Sequence, residues 1–380
     1  MKLFYIANIR MPTEKAHGLQ ISKMCEAFAA QGLEVELIVP KRDNTIKEDI
    51  FKFYNIQENF KVKKIYSFDF LRFEKINKFL IYIQALLFAF GVFLYVLFNP
   101  NKFKNDALFY LRDEFSPWLL ILLNKKVFLE IHAFKKRFRW HRIFFPKLKG
   151  LILITENAKK EFIEAGIDEK KIWIAPDAVD LARFNIDVSK EDARQKLDLP
   201  QDKKIIAYAG SFLLHSWKGI DILLKSAKQF SDDFLFVFVG GTKKEIANIR
   251  SQYPSDNVLL IVQKPNSQIP LYLKAADVLV LPNKKGEDIS EKYTSPLKMF
   301  EYMVSKRPIV ASNLPSIREI LNDQNSILVE PNDPQKLAQG IKEALDPEVS
   351  EKISQQAFQD VRNYTWEKRV TNIISFINRD

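Results

Sequence analysis

A single cysteine, Cys25, among 380 residues excludes an intramolecular disulfide and any multi-cysteine zinc or iron–sulfur site, and fits a reducing compartment. In "ISKMCEAFAA" it falls on the apolar face of a helical pattern, so it is expected in the core. Histidine is almost as scarce. His17, His132, His141 and His215 form no cluster with acidic residues at ligand spacing, and there is no Asp-x-Asp, so no bound metal is expected. The 11 glycines include neither Gly-x-Gly-x-x-Gly nor the spacing of a P-loop, which argues against a nicotinamide dehydrogenase. Low-complexity tracts are missing too. The N-terminal "MKLFYIANIR" reads as a strand whose apolar run is too short for a signal peptide.

What is present is a globular composition, 47% apolar and 28% charged, long enough for two domains of somewhat under 200 residues each. The net charge of +11 is uneven: residues 1 to 175 hold 30 Lys and Arg against 19 Asp and Glu, and the remainder holds 28 of each. Between Lys125 and Lys149 nine basic residues meet one acidic residue, Glu130, and "FKKRFRWHRIFFPKLKG" interleaves cations with Phe and Trp. Such mixing suits the interface of an anionic bilayer, although a solvated basic face has the same charges. Nucleic acid is not expected as a partner, since no recognised binding motif accompanies the charge. Residues 79 to 98, "FLIYIQALLFAFGVFLYVLF", are long enough to span a bilayer. Spanning would separate two strands, "LFYIAN" and "ALFYLR", that read as neighbours in one sheet; a non-spanning helix packed on that sheet, with a face open to lipid, is the preferred expectation.

Short apolar runs alternate with helical patterns twice over. The first series is "KLFYIANI", "VELIVP", "ALFYLR", "KVFLEIHAF" and "GLILIT"; the second is "KIIAYAG", "FLFVFVGG", "NVLLIV", "DVLVLP", "RPIVAS" and "SILVE". Near-continuous apolar strands separated by helices imply parallel sheets covered on both faces, hence two doubly wound α/β domains. The joint is expected near "IAPDAVDLARFNIDV", where Pro and Asp interrupt the pattern. The expected domains are 1–176 and 177–365, with the terminal helix 366–380 packing back on the first.

Open α/β sheets bind ligands at the carboxyl ends of their strands, so the polar residues there carry the functional argument. In "YAGSFLLHSWKGIDILL" Lys218 stands at a helix start, where the helix dipole disfavours a cation unless an anion binds. "EKYTSPLKMFEYMV" places Ser295 and Pro296 ahead of another apolar helix, with Ser295 as the expected N-cap and Pro296 as the first helical residue. That start attracts anions, and Glu301 sits on the flank of the helix's buried stripe, costly unless paired. His132 ends the strand "VFLEIHAF" at a functional edge. His17 precedes Gly18 in the first loop, where glycine lets a backbone approach a ligand; a loop histidine near solvent is the alternative.

In order, these pieces resemble family 4 of the retaining glycosyltransferases, with the GT-B architecture of two facing Rossmann-like doubly wound domains. "EKAHGLQISKMCEAFAAQGLEVELIVP", "FLEIHAF", "AGSFLLHSWKGIDILL", "AADVLVLPN", "SPLKMFEYMVSKRPIVASNLPSIREIL" and "YTWEKRVTNIISFI" carry the resemblance over nearly the whole chain. It implies transfer of a sugar from a nucleotide-sugar, bound by the second domain as substrate with no cofactor, to a hydroxyl acceptor. The acceptor side, with the charge distribution, suggests a lipid-linked molecule at the cytoplasmic face of the cell membrane. The implied catalytic residues are His132 near the transferred sugar, Lys218 on the donor phosphates and Glu301 on the ribose hydroxyls. Ser211, Tyr293, Thr294, Ser295, Pro296 and Leu297 complete the implied donor site, Val262, Gln263 and Lys264 read the base, and His17 and Gly18 lie on the acceptor side. Three positions depart from the family pattern: Tyr293 stands where the first Glu of a pair is expected, Ser211 where an arginine helps the lysine, and Asp177–Ala178 where Asn–Gly is usual. Glu287, Asp288 and Glu291 are candidates to replace the missing carboxylate. A non-catalytic nucleotide- or carbohydrate-binding relative of the same fold is the other reading.

Overall fold

The computed structural model describes residues 1–70, 78–104, 106–132 and 141–379. The basic-aromatic stretch holding Phe134, Lys135, Lys136, Arg137, Phe138, Arg139 and Trp140 lies outside them. The chain divides into two compact units. The first comprises Met1–Ile154, Ala158–Ala175 and Trp366–Asp380, the second Thr155–Asn157 and Pro176–Thr365.

The first unit contains β1 (Lys2–Ile6), β2 (Glu34–Lys41), β3 (Lys61–Tyr66), β4 (Ala107–Leu111), β5 (Lys126–Ile131), β6 (Gly150–Leu153) and β7 (Ile172–Ile174). They form a parallel sheet of order β3-β2-β1-β4-β5-β6-β7. β1 has β2 on one side, Tyr5 opposite Leu37, and β4 on the other, Tyr5 opposite Tyr110. The strand order reverses there, and the polar residues after β1, β4 and β5 gather beyond their carboxyl ends. β3 was not legible as a strand: "KVKKIY" is an edge strand with three exposed lysines, the device that keeps a sheet edge from pairing with another chain.

The second unit contains β8 (Lys204–Ala209), β9 (Phe234–Gly241), β10 (Val258–Val262), β11 (Val278–Leu281), β12 (Ile309–Ser312) and β13 (Ile327–Val329), in the parallel order β10-β9-β8-β11-β12-β13. Successive residues alternate between two cores. Ile205, Ala207, Val237, Val239, Leu279 and Leu281 face one; Ile206, Tyr208, Phe236, Phe238, Val278 and Val280 face the other. With both faces dry, these strands read as unbroken apolar runs.

Apolar residues 79 to 98 largely form the helix Lys78–Leu97. Phe88, Ala89, Val92 and Val96 are buried, and a Cβ placed on Gly91 would lie 3.2 Å from Ile65 Cγ2 of β3, so this face packs on the sheet. By length and composition the helix could cross a membrane, yet only 33% of its most apolar window is buried. Cys25 is in the core, as expected. Phe145, read from sequence as part of an aromatic surface, is instead a core residue stacked on Phe162 with ring centroids 5.9 Å apart.

Candidate functional site

In the second unit β8 is followed by Gly210 with φ +148°, and the loop from Ser211 to Lys218 leads to Gly219, which precedes the helix Ile220–Ala227 with φ +69°. A Cβ on Gly219 would lie 1.7 Å from the Pro282 carbonyl oxygen, so only glycine lets this loop sit on the end of β11. Lys284 N donates to Trp217 O at 2.7 Å and fixes the loop from the other side. So held, Lys218 reaches back and donates through Nζ to the Ser211 hydroxyl. Burial lowers its pKa, with Glu245 opposing.

A second cation stands beside the first. Lys298, in the first turn of the helix Leu297–Val304, places Nζ 3.9 Å from the centre of the Tyr208 ring, and a Cβ on Gly210 would lie 2.4 Å from that Nζ. Burial and then the Lys218 charge push the Lys298 pKa well below its ordinary value, with Glu301 opposing. Two ammonium groups and a helix N-terminus therefore converge at the end of β8. Like charges in low dielectric repel, so this arrangement is stabilised by an anion.

Glu301 lies one turn further on, buried, its carboxyl raised to about 7 by burial against the opposing pull of Arg183, Lys298 and a hydrogen bond from Asn266. Asn266 follows Val262, Gln263 and Lys264 at the end of β10, where Gln263 N donates to Gly241 O at 2.9 Å. Glu301 thus connects the cation pair to the exposed end of β10. The helix is locked to β8 by Tyr302, whose hydroxyl accepts from Ala209 N at 2.8 Å.

The helix start differs from expectation. Pro296 occupies the N-cap position with no side-chain cap, and Ser295 Oγ instead accepts from Asp177 N at 3.0 Å. A long-range bond that ties down the segment after β7 takes the oxygen that would have capped the helix. Tyr293 and Thr294 are buried, and Leu297 is half-buried. Among the candidates to replace the missing carboxylate, Glu291 accepts from Gly286 N at 2.6 Å, Asp288 pairs with Lys292 at 2.9 Å, and Glu287 is exposed.

In the first unit the centre is Glu130, a carboxylate in the middle of an apolar strand. Oε1 accepts from Gln20 Nε2 at 2.8 Å and Arg369 Nη2 at 2.9 Å and lies 2.5 Å from His132 Nε2; Oε2 accepts from the Tyr110 hydroxyl at 2.5 Å. Burial alone would raise the Glu130 pKa, but Arg369, His132 and Arg112 hold it well below the carboxylate range. Arg112 also donates to Gln20 Oε1 at 2.8 Å. Glu130 thereby orients His132 at the sheet edge. His17 is pushed down to about 4 by burial, then by Arg112, Lys15 and His132, so it is neutral at pH 7.

His17 and Gly18 are not in a loop: the helix Ala16–Ala30 begins before them. The space a Gly18 side chain would need is filled by Tyr54, whose Oη lies 2.1 Å from the ideal Cβ position and bonds both Thr13 N and Thr13 O. Sequence reasoning missed Lys298, Arg112 and Arg369. Glu130 alone left a signal, a charge within "VFLEI" that an apolar strand tolerates only when paired.

The two α/β units, with parallel sheets of seven and six strands, match the GT-B fold of glycosyltransferase structures. Sucrose-phosphate synthase from Thermosynechococcus elongatus has this fold, with a TM-score of 0.78 at 17% identity over 99% of this chain and 98% of that one. Residues 189–360, which contain the cation pair and Glu301, match the family described as Glycosyl transferases group 1. A UDP-Gal:alpha-D-GlcNAc-diphosphoundecaprenol alpha-1,3-galactosyltransferase of Escherichia coli is 27% identical over 251 residues, 62% of this chain and 62% of the relative. A D-inositol 3-phosphate glycosyltransferase of Acidothermus cellulolyticus is 25% identical over 245 residues, 59% of this chain and 52% of the relative. The matched stretch thus spans between about half and three-fifths of these relatives' lengths.

Proposed function

We propose that the protein is a retaining, metal-independent glycosyltransferase that moves a sugar from a nucleotide-sugar to a hydroxyl acceptor. The observation that carries this reading is the convergence of Lys218 and Lys298 at the end of β8, one helical turn from the buried carboxylate of Glu301, inside the matched domain. Departure of a nucleoside diphosphate builds negative charge on the leaving oxygen. Preorganised cations in a site shielded from water stabilise it more than they stabilise the intact donor. Lys218 and Lys298 take that charge, Glu301 accepts hydrogen bonds from the ribose hydroxyls, and the backbone at Val262–Lys264 meets the base. Lys298 supplies the second cation that Ser211 does not. Within the first unit Glu130 orients His132, the residue we assign to the transferred sugar. The acceptor attacks from the face the diphosphate leaves, and the leaving phosphate takes its proton.

The acceptor we propose is lipid-linked, in polysaccharide or glycolipid assembly on the cytoplasmic face of the cell membrane. The diphosphoundecaprenol acceptor in the name of the Escherichia coli relative supports that class. Incubation with UDP-, GDP- and dTDP-sugars and a membrane extract should release nucleoside diphosphate from one donor class, and Lys218→Ala should lower the rate of release by roughly 10²-fold or more. Donor binding without release would favour the non-catalytic relative, for which Tyr293 in place of a glutamate speaks. Neither binding nor release would defeat both readings.

A further inference from the structure

The helix Lys78–Leu97 buries one face on the first sheet, and the described residues leave the other uncovered. Leu86, Phe90 and Leu97 are 39%, 51% and 45% exposed, spaced four and seven residues apart along one line of the helix, with Leu87 and Phe98 beside them at 43% and 74%. None of these side chains has a donor or an acceptor, and residues 79 to 98 contain no charge. A contiguous apolar patch of this kind marks an interaction surface. A protein partner would ordinarily add about one hydrogen bond per 100–200 Å² of interface, and this line of side chains offers none.

Charge lies at the border of the patch. The helix covers the face of β3 that carries Lys61 and Lys63, both exposed; Lys63 Nζ stands 5.3 Å from the centre of the Tyr95 ring on the helix itself, and Lys61 lies 3.7 Å from Glu34. Beyond the helix Lys102 bonds the Tyr95 hydroxyl at 2.8 Å and pairs with Glu36. An uncharged apolar face bordered by lysines is complementary to acyl chains beneath anionic headgroups. The opposite face fixes the orientation. Phe88, Ala89 and Val92 are wholly buried, and Gln84 Oε1 accepts from Phe70 N at 2.7 Å, so pulling the helix away to span a bilayer would expose the sheet and break that bond.

We infer that the exposed face of the helix Lys78–Leu97 seats the protein on an anionic bilayer, the helix lying in the plane of the interface rather than crossing it. This goes beyond the transfer reaction and is tested without donor or acceptor, so its failure would leave that reaction untouched. The test is flotation of the whole protein with vesicles of phosphatidylglycerol and phosphatidylcholine in equal parts, against phosphatidylcholine alone. The wild type should float with the mixed vesicles, detach in alkaline carbonate, and bind the neutral vesicles much more weakly. Leu86→Gln/Phe90→Gln/Leu97→Gln should lower binding on the order of tenfold or more, since each loses the burial of a large apolar side chain, with an unchanged circular dichroism spectrum. Because Cys25 is buried, a dye placed at Phe90→Cys provides a second measurement that does not depend on the triple variant folding. Its emission should shift to the blue with mixed vesicles. Equal flotation of the triple variant, an unshifted dye, or resistance to carbonate would overturn the inference. So would a wild-type dimer that the triple variant dissolves, which would make a second copy the occupant.

Discussion

At the scale of single residues the candidate donor site is a problem of charge. Lys218 and Lys298, both half-buried, repel one another at the end of β8, so removing either should relieve the unliganded protein while impairing the reaction. Lys218→Ala is expected to lower turnover by roughly 10²-fold or more, the scale of losing one preorganised contact, and Lys298→Met by about tenfold to a hundredfold. Melting temperatures of both variants without ligand should be unchanged or higher; turnover near the wild-type rate in either would remove that lysine from the site. Glu301 adds a dependence on pH. Its folded carboxyl is raised to about 7, so the protonated form stabilises the unliganded protein, and that contribution fades as pH rises through 7. On the proposed role, in which ribose hydroxyls bond the ionised form, nucleotide-sugar affinity should increase from pH 6 to pH 8 in the wild type and lose that slope in Glu301→Gln, as titration calorimetry can measure. Glu301 was legible from its spacing within "LKMFEYMV". Lys298 was not, because a lysine in a first turn looks like any solvent cation until the strand end facing it is known.

At the scale of elements, sequence pattern located most strands and misplaced two helix starts. β8, β9 and β11 were legible because two dry faces leave no polar interruptions, whereas β3 was hidden by the lysines that protect an edge. Ser295 and Pro296 satisfied every local rule for a helix start, and a bond to Asp177, 118 residues away in sequence, overrode it. Gly18 read as a place for a ligand, but its missing side chain makes room for Tyr54. Gly18→Ala should therefore destabilise the first unit by about 1–3 kcal/mol, the cost of overpacking, and a denaturation midpoint equal to the wild type would refute that account. The terminal helix Trp366–Ile377 is a larger case. Arg369 compensates the buried Glu130, and Phe376 stacks on Trp173 and meets Phe128 edge-on. Arg369→Met leaves that carboxylate without its main cation, and about 3–5 kcal/mol should be lost in chemical denaturation.

For the whole molecule, the two-sheet α/β class and the uneven charge could be read from sequence. The network around Glu130 could not, since Gln20, Arg112, Glu130 and Arg369 are scattered along the chain and meet only once the first sheet and the last helix are in place. A nucleotide-sugar at 100 times its dissociation constant should raise stability by about 2.7 kcal/mol. Hydrogen exchange should slow at residues 209–219, 262–268 and 293–301, and equal protection everywhere would speak against a site in the second unit. The return of the terminal helix also matters on the ribosome. The second unit, apart from residues 155–157, is one uninterrupted stretch, Pro176–Thr365, and can close its sheet as it emerges. The first unit leaves the tunnel earlier but must wait, with Glu130 short of its main cation and Phe128 and Trp173 uncovered, until Arg369 and Phe376 are synthesised. Of the two units, the one made first is thus the later to close, and a nascent chain stalled within residues 366–380 exposes it to chaperones and proteases.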